Sequence, residues 1–102
     1  MWRRVWKMVT EVIDRILDFL RVRKRDYQLV FGSPAGQNVL LDLMPFCRAA
    51  ETCAVPGDEH RTWILEGRRE VILRILNHMN LTPEQLAALY AGKQFNTMEQ
   101  KQ

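Results

Sequence analysis

Trp2, Val5, Val9, Val12, Ile16 and Phe19 recur in steps of three and four, the spacing that sets side chains along one stripe of an α-helix. Trp6, Ile13 and Leu20 form a second column beside that stripe. In heptad terms positions a, d and e are apolar, a band wider than a bare coiled-coil seam. The pattern predicts one long amphipathic helix over residues 2–31, with Gly32 as its C-terminal breaker. From Trp2 to Leu20 the stripe runs about 28 Å, at 1.5 Å per residue.

The punctuation of the chain predicts three further helices. Ser33-Pro34 pairs an N-cap residue with a proline at the first helical position, where no amide is needed. Val39, Leu40, Leu43, Phe46 and Cys47 give this second helix its apolar face, and Pro45 predicts a kink or an early end. After the loop at 51–58, Asp58 caps a third helix that reaches about Met79. Its stripe is Ile64, Leu65, Ile72, Ile75, Leu76 and Met79, flanked by Trp63 and Val71. Gly67 lies inside it at a cost of about 1 kcal/mol relative to Ala, which predicts close approach of another helix. Thr82-Pro83-Glu84-Gln85 is a capping box that opens a short fourth helix, closed by Gly92. The fold class is therefore all-α: a long N-terminal amphipathic helix plus a compact three-helix unit. The divisions are 1–26 for the N-terminal amphipathic helix, 27–92 for the unit and 93–102 for a polar tail.

Composition agrees with an ordinary globular chain, 47% apolar and 26% charged over 102 residues. The net charge of +3 is unevenly placed. Residues 1–26 hold eight basic and four acidic side chains, and the remainder holds seven basic and eight acidic. All the excess positive charge thus lies in the first quarter, mostly at Arg21, Arg23, Lys24 and Arg25. These four are candidate contacts for an anion or a nucleic acid, unless they are a solvated helix end. The opening MWRRVWK resembles the start of a signal peptide, but Glu11, Asp14, Arg15 and Asp18 interrupt the apolar stretch behind it. We expect neither export by that route nor a membrane span.

Candidate chemistry is sparse. Cys47 and Cys53 make no disulfide framework and read as free thiols; with His60 they lack a metal-binding spacing. Glu66 and Glu70 share a helix face, but Arg69 and Arg74 stand three and four residues beyond them and predict intrahelical ion pairs. His78 reads as a packing or helix-end histidine. No phosphate loop or nucleophile motif is present. The expectation is a non-enzyme with no cofactor, no metal and no small-molecule substrate.

Leu29-Val30-Phe31-Gly32-Ser33-Pro34-Ala35-Gly36-Gln37, Val39-Leu40-Leu41-Asp42-Leu43, Leu65-Glu66-Gly67-Arg68-Arg69-Glu70-Val71 and Leu81-Thr82-Pro83-Glu84-Gln85-Leu86 together carry a resemblance. The stretch from Asp26 to Gly92 resembles a family of small proteins of short-tailed bacteriophages and related prophages, encoded among virion structure genes. The EGRRE segment is its most distinctive part. The resemblance implies a virion or virion-assembly role, localisation to the particle after synthesis in the host cytoplasm, and no catalytic residues to carry over. The first 25 residues lie outside it, and Met44-Pro45 departs from the pattern.

Three readings of the first helix remain open at this level. Its stripe of Trp2, Val5, Trp6, Val9, Val12, Ile13, Ile16, Phe19 and Leu20 suits packing in a homo-oligomer or against other virion proteins, as an internal or portal-proximal component involved in genome ejection. The same tryptophans and basic residues suit a membrane surface. Arg21, Arg23, Lys24 and Arg25, with Arg68 and Arg69, suit non-specific contact with DNA phosphates.

Overall fold

Four helices, α1 (Trp2–Gly32), α2 (Pro34–Phe46), α3 (Glu59–Met79) and α4 (Pro83–Tyr90), succeed one another in a computed structural model that describes residues 1–95. The expected all-α class, with a long first helix ahead of a three-helix unit, is the architecture observed. The molecule measures 62 × 40 × 20 Å and has a radius of gyration of 18.5 Å. A compact chain of this length would have about 13 Å. The difference is α1: every residue from 1 to 22 is exposed, and burial begins only where Arg23, Tyr27 and Phe31 come beside the other helices.

Helix starts match their signals. The Ser33 hydroxyl accepts from the Gly36 amide at 3.0 Å, and the Asp58 carboxylate accepts from the Arg61 amide at 3.0 Å. At α4 both halves of the capping box form: the Gln85 amide donates to Thr82 Oγ1 at 3.2 Å, and the Thr82 amide to Gln85 Oε1 at 3.0 Å.

One helix end differs from expectation in its cause. Gly32 is the last residue of α1 but is not among the left-handed residues. The stop comes from Pro34, whose ring disfavours α geometry in the residue before it; Ser33 is extended at φ −68° and ψ 158°. The early end at Pro45 does occur, one residue later at Phe46. There the chain closes in a Schellman arrangement around Arg48, left-handed at φ 52°. The Arg48 amide donates to the Pro45 carbonyl at 3.1 Å, and the Ala49 amide to that of Met44 at 2.9 Å. Gly92, at φ 77°, closes α4 in the same way.

The core is built from Leu40 and Met44 of α2, Cys47 and Ala49 after it, Ile72, Leu76 and Met79 of α3, and Leu89 of α4. Tyr27 and Phe31 bring α1 against this cluster. The Tyr27 ring lies 4.8 Å from that of His78, and the Gln28 amide nitrogen donates to the Met79 carbonyl at 3.0 Å. That carbonyl is one of the four that the end of α3 leaves without a helical partner. The stripes of α2 and α3 differ in part from their periodicity. Met44 takes a core position that the spacing does not assign to it, while Val39, Phe46, Ile64, Trp63 and Val71 are exposed.

The close helix approach lies elsewhere than at Gly67, around which a Cβ would meet nothing within 4 Å. It is at Gly36, where a Cβ would sit 1.8 Å from the Val30 carbonyl oxygen and 2.7 Å from the Phe31 Cα. The one-residue junction at Ser33 forces α2 back across the end of α1, and only glycine fits the crossing. The expected ion pairs from Glu66 and Glu70 are also absent; among the described residues the only pair is Arg25–Asp26, at 3.9 Å and exposed. Arg68 instead places its guanidinium over the Phe46 ring at 4.5 Å.

The expected polar tail falls mostly outside the described residues, but its first part is held. Gln37, 2% exposed, donates to the Gly32 carbonyl at 2.8 Å and the Phe95 carbonyl at 3.0 Å, and accepts from the Phe95 amide at 2.8 Å. The Phe95 ring packs on the core.

These contacts give two expectations for urea unfolding. Gly36→Ala should lose about 2 kcal/mol or more, as overpacking against backbone does, whereas Gly67→Ala should gain about 0.5–1 kcal/mol from helix propensity alone. Gln37→Leu should cost about 1–3 kcal/mol by orphaning the buried Gly32 carbonyl, with faster amide exchange at Phe95.

Candidate functional site

The stripe on α1 is an apolar surface that no other part of the described chain covers. Trp2, Val5, Trp6, Val9, Val12, Ile13, Ile16, Phe19 and Leu20 are all exposed, and at 100° per residue they cover roughly 140° of the helix. Met8 and Leu17 are exposed as well and widen the arc to about 180°. Heptad columns alone miss these two, although Met8 lies three residues after Val5 and Leu17 four after Ile13.

Magnitude separates this surface from ordinary exposure. Trp2, Trp6 and Phe19 are 78%, 64% and 63% exposed. An aromatic side chain covers 150–250 Å² when buried, so these three alone present on the order of 400 Å². The largest apolar patch on a whole typical monomer is about 300–600 Å². The stripe also runs directly into the packed part of the helix. Tyr27 and Phe31 fall on the same arc, at about 180° and 220° against a stripe centred near 170°, and both pack on the core. One face of one helix is therefore core at one end and bare at the other.

The basic cluster does not form one patch. Arg23 and Lys24 line an open groove of about 310 Å³ with Leu20, Asn77, His78 and Asn80. There they lie beside the last turn of α3, whose carbonyl end favours cations. The Arg23 guanidinium also lies 5.5 Å from the centre of the Phe19 ring. Arg21 and Arg25, four residues apart, share the opposite polar face of α1, and Arg25 is beside Asp26. Arg68 is held over Phe46, and Arg69 is half-buried with its Nε lacking a hydrogen-bond partner. The six cations proposed as a phosphate-binding surface are thus spread over separate faces.

The remaining candidates are packed. Cys47 and Cys53 are free and buried. His78 lies against Tyr27, with Nδ1 2.9 Å from the Arg74 carbonyl and Nε2 buried without a partner. His60 meets the Trp63 ring edge-on at 5.4 Å. Among the described residues no three His, Cys, Asp or Glu gather as a metal site, and no helix is long and apolar enough to cross a membrane.

Because residues 1–22 contribute nothing to the core, Trp2→Ser/Trp6→Ser should leave the monomer's urea stability within about 0.5 kcal/mol of the parent. Leu40→Ala, at a fully buried position, should cost about 2–5 kcal/mol in the same assay.

Residues 27–91 match the family described as Bbp19-like phage protein. No curated protein and no solved structure matches the chain. The match begins at the residue where α1 enters the core and ends one residue before Gly92 closes α4.

Proposed function

The chain belongs to the Bbp19-like phage protein family, and on that premise we propose that it is a non-catalytic structural component of a short-tailed phage particle, assembling through α1. The observation that carries this reading is the bare stripe. A family unit with a core of its own extends a helix whose apolar face has no partner in the chain. Burial of that face against protein is the general way such a surface leaves water, and particles are built by repeating small chains around symmetric interfaces.

We place the protein inside the particle or beside the portal, with a part in genome ejection. Support comes from the tip of the helix, where Trp2 and Trp6 stand among Arg3, Arg4 and Lys7. Such a tip serves against a protein neighbour in the packed particle, and against lipid after release. Glu11, Asp14 and Asp18 on the polar face weigh against an anionic membrane as the main partner. The separation of Arg21 and Arg25 from Arg23 and Lys24 weighs against DNA, since phosphate binding gains from cations gathered along one path.

Mass spectrometry of purified particles is the decisive measurement. The protein should be present in many copies, and particles from a phage encoding Trp2→Ser/Trp6→Ser should lack it while the cell still contains the folded protein. Absence of the parent protein from the particle would end this reading.

A further inference from the structure

Tyr27 and Phe31 lie on the arc of the stripe and pack on the core, so the three-helix unit stands on the side of α1 that the stripe faces. The end of α3 reaches the stripe itself, where Asn77 and Asn80 line a groove with Leu20. Packed helix axes lie about 8–10 Å apart, so the unit rises at least that far above the bare part of α1. The stripe is thus one wall of a corner, closed beside Leu20 and open at Trp2.

This corner limits what can cover the stripe. A flat surface can meet the tip, but laid along the whole length it would strike α3 before reaching Leu20. A second copy in parallel collides as well, because α2 and α3 already fill the space that its residues 23–32 would need. An antiparallel copy meets neither obstacle: each unit stands beyond the partner's tip, and each tip ends in the partner's corner.

The order of residues suits that direction. Trp2, Val5, Val9, Val12, Ile16 and Phe19 map onto themselves when the helix is read backwards, which sets Trp2 opposite Phe19, Val5 opposite Ile16 and Val9 opposite Val12. Any such heptad pattern permits the reversal, but here the sizes agree too, aromatic with aromatic and branched with branched. In antiparallel helices the same edge of each faces the other, which brings Trp6 beside Leu17 and uses the width of the band. Charge does not oppose the pairing. At 100° per residue, the arc bounded by Met8 and Leu17 holds no charged side chain between Trp2 and Leu20. Arg3, Arg4 and Lys7, like Glu11, Asp14 and Asp18, lie outside it and stay in water.

We propose that two copies of this chain pair antiparallel along α1, each stripe covering the other about a two-fold axis near Val9 and Val12. The three aromatics of each stripe present on the order of 400 Å². Two copies therefore bring about 800 Å² before the aliphatic side chains are added, against about 1,200–2,000 Å² in a stable interface. The proposal rests on the reading of α1 as an assembly element and names what it meets: its own copy, in an isologous contact that closes at two.

Light scattering and cysteine cross-linking of the full chain test this. The parent should be a dimer, and Val9→Asp/Val12→Asp a monomer that keeps a folded three-helix unit, read by amide exchange at Ile72. Val5 and Ile16 stand about 16 Å apart along one helix, beyond the reach of a disulfide within a chain. Oxidised Val5→Cys/Ile16→Cys should therefore give a covalent dimer. Neither single variant should, nor should the parent, whose Cys47 and Cys53 are buried. A single variant that cross-links to itself places the stripes in parallel, and a double variant that stays uncoupled places positions 5 and 16 apart. Either result overturns the inference, as does a parent larger than a dimer or a dimer that survives Val9→Asp/Val12→Asp. A monomeric parent overturns it too. In every such case the composition of the particle decides separately whether the protein is a virion component.

Discussion

The contact between Gly36 and the Val30 carbonyl governs how the rest of the molecule is arranged. With one non-helical residue at Ser33 between α1 and α2, the two axes must cross almost at their ends. A Cβ at position 36 would come within 1.8 Å of backbone. The crossing presents Leu40 and Met44 to α3 and sets Tyr27 and Phe31 on the same cluster. It also leaves α1 able to touch the unit only with its last turns. Gln37, the next residue, fastens the crossing by bonding to the Gly32 carbonyl and to both backbone groups of Phe95. The compact unit and the projecting helix are thus two results of one short junction.

Local chemistry made much of this legible in the sequence. Ser33-Pro34, Asp58 and Thr82-Pro83-Glu84-Gln85 announce helix starts because capping is settled within a few residues. Gly92 announces an end for the same reason. Contacts between helices were less readable. Gly67 and Gly36 look alike in a sequence, yet only the crossing distinguishes a glycine that another backbone presses against from one facing open space. Met44 is hard to place from sequence because Pro45 beside it signals a helix end. The helix runs one residue past that proline, which keeps Met44 within α2 and turned to the core. Pairings by spacing alone also misled. Glu66 and Glu70 have Arg69 and Arg74 at suitable intervals, yet neither pair forms among the described residues.

The stripe itself is legible from periodicity, and its exposure is not. Amphipathicity says that one face of a helix avoids water, without saying whether the chain supplies the cover. Here the same arc is covered at Tyr27 and Phe31 and bare from Leu20 back to Trp2. Arg23 and Lys24 mark the change between the two. They lie on the apolar side at the end of α3, where its carbonyl dipole gives them a reason to be. A run of four cations that reads as one patch in a sequence is divided by helical geometry into two faces with different surroundings.

The family unit and the projecting segment share a single uninterrupted helix, with no linker between them. Direction and rotational phase of the stripe are therefore set by the residues that fix α1 to α2 and α3. One residue inserted between Leu20 and Tyr27 would turn the whole stripe by about 100°, while seven would return it to within about 20° and lift it by roughly 10 Å. Reach can vary in heptad steps at constant facing, whereas intermediate lengths aim the stripe elsewhere. The helix thus works as a keyed shaft, and the shape of whatever it builds is encoded in the spacing between two parts of one rod.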